Sequence, residues 1–571
     1  MVSVILIWIY ILITTFIIGY GVLRLITRHF PYQVKNGDAY VLCGIVCVTV
    51  YAQFFSLFAG VGILANGVLC AVCAGILWRE RKSLKALFSA CLGKSVCGRI
   101  LLIVGIFLLF AYGTSRGMIH YDTGLYHAQS IRWIEEYGVV KGLGNLHCRL
   151  AYNSAAFALS ALYSMAFLGG GSFHCCAGFL AFLLAGICLK TGYSLRLGRL
   201  RTSDFARVMC VYYLVNIFDE MVSPASDYFM VLIAFYIVIR WLELLESGEQ
   251  TILPYALLCV LGVFLLTVKL SAALILLLVI YPAYRLLREK KWRETFVYLG
   301  LGIVTALPYL IRNVVISGWL VYPFTQIDLF SAAWKIPKGV ADYDAREIQV
   351  WGRGYTDVSR FEMPVREWLP GWFRGLAGID RLFVAAAAVS VFLLFLYAAG
   401  MLFRWWRRRW ELLLVQGTVA ASFLFWLCTS PLMRYGCVYV YLTFAVVFGG
   451  IYETVTSCED GRSDETERGR SLWQTMIKRA ALVLTILLLL YKGLALGREI
   501  LASYENAYWL VQKDYENYET LAYEIEGVTF YYPVQGDQVG YDSFPASPAK
   551  AEISLLGEGL ADGFIVKEPE L

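Results

Sequence analysis

The groups able to do chemistry in this chain stand where apolar runs meet polar segments. They include Asp122, His127, Arg132, Arg149, Asn153, Asp227, Arg312 and Arg434. Arginine grips a phosphate through two parallel N–H donors, and an aspartate held against a hydroxyl can take its proton. Carboxylates and arginines gathered on one membrane face therefore suit a substrate with a phosphate to clamp and a hydroxyl to deprotonate. Asp122 is the sole carboxylate in 117–134 and follows the apolar run 100–112. It should face a cavity between spans, and it is the candidate catalytic base. Arg149, Arg312 and Arg434 are the candidate phosphate clamp. His127 and Arg132, five and ten positions after Asp122, can orient substrate. Asn153 and Asp227 join the same candidate binding set.

Each assignment has a structural alternative. Asp122 can cap a membrane helix, Arg312 and Arg434 can anchor the ends of spans, and Lys269 can snorkel to the interface. Asp227 can cap the helix that follows it. The histidines 120, 127 and 147 lack the close spacing of a metal site, so a divalent metal has little support and no cofactor is assigned. There is no P-loop, dinucleotide fingerprint or HExxH helix, and no nucleic-acid partner is implied.

The elements that must position these residues are membrane helices. The chain has 571 residues, 59% hydrophobic and 16% charged. Many of its runs approach the roughly 20 apolar residues that cross a bilayer. The pattern predicts an all-α polytopic membrane protein with fourteen spans: 2–22, 39–57, 59–78, 100–116, 173–192, 208–222, 228–246, 253–268, 270–285, 296–312, 382–403, 411–429, 436–452 and 479–497. The run 2–23 has no basic leader region and reads as a span. The cysteines lie mostly in apolar runs and read as core filler.

Basic connections at 23–38, 79–99, 193–207, 285–294, 404–410 and 453–478 stay cytoplasmic by the positive-inside rule. Fourteen spans then leave both termini outside. The apolar run 150–168 breaks this parity if it crosses, so it is expected to lie within the first outer loop. Tyr126, Ser130, Trp133 and Tyr137 share one face of a helix, with Gln129, Arg132 and Glu136 on another. That pattern predicts a helix lying in the membrane interface. Three regions follow: additional spans in 1–99, a core over 100–497 with outer loops 117–172 and 312–381, and an outer tail, 498–571. The tail holds fourteen acidic against four basic residues. It should be a small α+β unit, with a helix over 504–523, a strand over 528–534 and a turn at 536–537.

Five segments carry a resemblance: YDTGLYHAQSIRWIEEYGVVKGLGNLHCRLAYNS, RNVVISGWLVYPF, SPLMRYG, GDQVGYDSFPASP and DGFIV. In them the chain resembles a family of bacterial multi-pass membrane proteins encoded alongside surface-polysaccharide genes. Its layout is more distantly similar to the GT-C superfamily of membrane glycosyltransferases. That likeness aligns Asp122 with the acidic residue opening the first outer loop, 124–137 and 150–168 with helices lying along the membrane, and Arg434-Tyr435 with an Arg-Tyr element between spans. Two features depart from it: three spans precede the one that should come first, and a single Asp122-Thr123 stands where a carboxylate pair is common. The resemblance implies a bacterial inner-membrane enzyme that moves a sugar from a polyprenyl-phosphate donor to a lipid-linked or surface glycan on the outer face. A flippase or transporter of lipid-linked glycans, or a polysaccharide polymerase or ligase, shares the multi-span plan.

Overall fold

The computed structural model describes residues 1–91, 97–402, 410–456, 466–504 and 508–567. The basic segment 404–409 and parts of 79–99 and 453–478 lie outside these residues. Among the described residues, eleven helices are long and apolar enough to cross a membrane. They match eleven of the fourteen expected spans. The other three are shorter. Ile100–Ser115 and Ile252–Val268 are apolar helices of 16 and 17 residues, and the expected span 208–222 is instead a helix at Thr202–Asn216.

That shift of register has a local cause. Asp204 accepts from the Arg201 amide at 3.0 Å and starts the helix early. Arg207 then bridges Asp204 and Glu243 at 2.5 Å each. Arg207 and Asp204, expected in a basic loop, are thus buried in an ion network that extends to Arg240 and Asp38.

The first three helices, α1 (Val2–His29), α2 (Asp38–Phe55) and α3 (Ile63–Cys91), pack together. α4 (Cys97–Ser115) leads into the stretch at 120–136, whose helix α5 (Ala128–Glu136) lies against Ala155–Tyr163. The Ala155–Tyr163 helix has nine residues, about 14 Å at 1.5 Å per residue. That is half of what a hydrocarbon core needs. Every residue in it is buried, so it sits inside the protein and not on lipid.

The expected interfacial helix is corrected in the same way. Trp133 is fully buried inside the protein, and on the polar face Gln129 is buried too while Glu136 stays exposed. Gln129 donates to the Gly540 and Ser543 carbonyls at 2.9 and 2.8 Å, and Arg132 reaches those of Tyr541 and Asp542. The tail occupies the face that amphipathicity assigned to water.

The tail holds two antiparallel strand pairs, β1 (Thr520–Ile525) with β2 (Val528–Pro533) and β3 (Ile553–Leu555) with β4 (Phe564–Val566). The expected strand is β2. The expected helix over 504–523 does not form in the described part. Residues 512–519 form no regular element and lead into β1, joined to β2 by Glu526-Gly527, both at positive φ, a tight hairpin turn. Tyrosine spacing that mimics a helix is equally a β-forming composition. Here Gln512 and Lys513 fasten the segment to the Thr114 and Ser115 carbonyls at 3.0 and 2.8 Å.

The N-terminus and the start of the tail meet at one end of the helix array. The Met1 amino group donates to the Tyr508 carbonyl at 2.6 Å, and the Val2 and Ser3 amides bond Trp509 and Leu510.

Candidate functional site

At that end, the loop after α4 is fixed by backbone contacts before any side chain acts. The Met118 amide donates to the Asp219 carbonyl at 2.7 Å. Gly117 has φ +111, and a Cβ there would lie 1.8 Å from the Asp219 oxygen, so only glycine allows this approach. The His120 amide donates to Ser223 Oγ at 2.7 Å. The chain then makes one turn of π-helix, Thr123–His127, before α5 begins. Such turns carry an extra residue and recur at functional sites. This one packs Tyr126 and His127 against Phe157 in the protein interior.

Asp122 is 6% exposed, and its carboxylate meets Arg434 at 3.0 Å. Arg434 also approaches His120 Nε2 at 3.0 Å and lies over the Tyr435 ring, 5.1 Å from its centroid. A second pair stands beside the first. Lys269 bonds Asp227, and its ammonium lies 4.2 Å from the Tyr435 centroid on a ring face, where a cation is favoured. Tyr435 therefore takes both cations. His120 and His127 are 6.1 Å apart, and burial holds both imidazoles below their usual range. Tyr228 donates to Glu220 at the rim.

Arg149 lies within electrostatic reach of Asp122 and Tyr126, stacks on Trp351 at 4.5 Å and pairs with Glu347 at 3.6 Å. Glu347 belongs to the Lys338–Gly352 helix of the long loop. On that helix Asp344 accepts from Tyr152 at 2.6 Å and Tyr322 at 2.8 Å. Burial raises Asp344 above the ordinary carboxylate value, opposed by those hydroxyl donors.

Six of the nine expected residues thus assemble: Asp122, His127, Arg149, Asp227, Arg434 and Tyr435. Three do not. Arg132 serves the tail, and its guanidinium also pairs with Glu136 at 2.7 Å. Arg312 and Asn153 form a separate buried cluster beside Tyr152 and Phe157. There Arg312 donates to Asn153 Oδ1 at 2.8 Å and to Ser56, so the three-arginine clamp is not assembled in this structure.

Lys269 is no snorkelling residue, given its ion pair. It stands in extended geometry between the Ile252–Val268 helix and a ten-residue 3₁₀ stretch, Leu270–Val279. A charged residue at a break inside an apolar run was the available signal. His120 and Asp344 had none, since their partners are remote in sequence. Among the described residues no group of three or more His, Cys, Asp or Glu could hold a metal ion.

The arrangement offers a buried carboxylate, two cations on one tyrosine, and a covering surface from the tail. The Val539 and Gly540 amides both bond the Gly124 carbonyl in the π turn, and Tyr121 donates to Asp537.

Residues 1–441 match the family model described as a domain of unknown function, DUF8201, and the chain belongs to that family. No curated protein and no solved structure matches it.

Proposed function

We propose that this DUF8201 protein is an integral membrane glycosyltransferase that transfers a sugar from a polyprenyl-phosphate donor to a lipid-linked or surface glycan. The observation that carries this reading is the Asp122–Arg434 pair beside the Asp227–Lys269 pair, with both cations over the same tyrosine. Arg434 offers a phosphate oxygen a cation in place of the Asp122 carboxylate it now holds, and Lys269, still paired with Asp227, adds positive charge beside it. A donor phosphate that takes over Arg434 frees Asp122. The acceptor hydroxyl then attacks the anomeric carbon and passes its proton to Asp122. The bond from that carbon to the phosphate oxygen breaks, and its electron pair leaves with the phosphate. Tyr126 and Phe157 supply an apolar wall beside the reacting groups.

The fold class within this reading is a membrane protein of about fourteen helices, with a GT-C-like core over 100–497 after three additional N-terminal spans, and with the site and both termini on the outer face of the bacterial inner membrane. The contact of the N-terminus with the start of the tail and the shortness of Ala155–Tyr163 support it.

The test is sugar transfer by purified protein carrying Asp122→Asn. A positioned general base contributes about 10²–10⁴-fold, so transfer should fall by at least that range while the melting temperature stays near the wild type. Near-normal transfer returns Asp122 to a structural role. Glycan flipping without transfer would establish the transporter reading instead.

A further inference from the structure

At the end of the helix array away from the site, α1 and α3 flank an open surface cleft of about 810 Å³, within the size range of ligand pockets. Five cations line it, Arg24, Arg28, Arg79, Arg81 and Lys82, against one carboxylate, Glu80. Glu80 is buried and acts as a clasp. It meets Arg24 Nε at 2.5 Å and Arg28 Nη2 at 2.6 Å, with Arg79 at 3.8 Å. Tyr20 donates to Ser83 at 2.7 Å and locks the two helices in register. A single carboxylate cannot neutralise five cations. Arg79, Arg81 and Lys82 are exposed, and neither Arg81 nor Lys82 makes an ion pair among the described residues.

The apolar surroundings say where this charge sits. Leu25, Leu77 and Trp78 are exposed beside the cleft, Trp78 by 75%. Exposed apolar helix surface that ends in a tryptophan and a basic cluster marks the level of lipid headgroups. Arg24 lies 23 residues along α1 from the Met1 end, which bonds the tail. That is about 35 Å at 1.5 Å per residue, slightly more than one hydrocarbon thickness.

We propose that this cleft binds the phosphodiester headgroup of an anionic phospholipid from the leaflet opposite the site. Glu80 preorganises Arg24 and Arg28 at the cleft floor. Arg79, Arg81 and Lys82 supply the uncompensated charge, and the acyl chains lie along Leu25 and Leu77. Basic pockets between membrane helices hold such headgroups. The proposal does not depend on the transferase reading.

The experiment is native mass spectrometry of the full chain in mild detergent, with phosphatidylglycerol or phosphatidylcholine added. Wild type should keep phosphatidylglycerol adducts and not phosphatidylcholine. Each removed charge should weaken retention about fivefold, so Arg79→Gln/Arg81→Gln/Lys82→Gln should lose it about 100-fold with the Glu80 clasp intact. The single variants Arg81→Gln and Lys82→Gln, at exposed positions, give the graded loss should the triple variant not fold. Equal retention by these variants, or equal retention of the two lipids, overturns the proposal. Displacement of the lipid by millimolar glycerol phosphate would make this a soluble-phosphate site and overturn it equally.

Discussion

Replacing Arg434 by methionine separates the structural from the chemical part of the site. The Asp122 side chain is 8% exposed, and Arg434 is its partner at 3.0 Å. Arg434→Met alone strands that carboxylate. Removing one member of a buried pair costs roughly 3–5 kcal/mol. The arginine side chain keeps 30% of its exposure, so solvent screening sets the loss at the lower end, about 3 kcal/mol. Adding Asp122→Asn removes the stranded charge, and exchanging a whole buried pair for neutral groups is close to neutral in stability. The double variant should therefore unfold near the wild type and Arg434→Met well below it, a coupling of about 2–3 kcal/mol in the double-mutant cycle. Unfolding followed by tryptophan fluorescence in mild detergent reads the order of the four proteins, and the transfer assay reads activity. Both variants lacking Arg434 should be inactive whatever their stability. A double variant as unstable as Arg434→Met, or an Arg434→Met protein that unfolds with the wild type, refutes the coupling.

Acid should destabilise the fold through two histidines outside the membrane helices, His147 in the first outer loop and His174 just before the helix that starts at Cys176. Burial pushes His147 and His174 down to about 4. Unfolded histidine titrates near 6.5, so the unfolded chain binds more protons between those values. Stability is full above about pH 6.5 and falls as pH drops toward 4, by up to about 3 kcal/mol per histidine. His147→Gln should flatten melting temperature against pH in that window, and an unchanged slope counts against it. Arg132→Gln removes the bonds to the Tyr541 and Asp542 carbonyls. It should make the tail more protease-sensitive while the helices melt normally; unchanged proteolysis would show that the tail docks without it. For topology, Arg199→Cys should be shielded from an impermeant thiol reagent on intact cells and Leu510→Cys labelled; equal labelling contradicts the proposed orientation.

The helices were legible because each apolar run is itself the signal, and eleven expected spans stand as long apolar helices. Misreadings arose where a polar group found a buried partner. Gln129 and Arg132 looked like a solvated face because the tail that covers them lies some four hundred residues away. Asp204 and Arg207 looked like loop charges because Glu243 neutralises them from another helix. Arg312 looked like part of the clamp because a span end is a common place for an exposed cation. Its 2% exposure and its bonds to Asn153 and Ser56 put it in the packing instead. The site residues themselves were partly legible by type. Asp122, Asp227 and Arg434 stand out in an apolar chain, whereas their pairing depends on how four distant segments pack.

That pairing bears on how such a site can exist without its substrate. An isolated charge taken out of water costs many kcal/mol, which partnered charges largely avoid. Asp122 with Arg434 and Asp227 with Lys269 leave the resting site with two cations and two anions, each in an ion pair. Both cations lie over the Tyr435 ring, with Asp122 next to Arg434. In the proposed reaction a phosphate does not enter an empty positive pocket; it exchanges with a carboxylate for an existing cation. The exchange leaves the number of buried ion pairs unchanged and releases one carboxylate without a partner. A carboxylate released in a dry site beside an acceptor hydroxyl is a stronger base than one held by arginine. The contact that stabilises the empty site is thus the contact whose replacement by substrate would make Asp122 reactive.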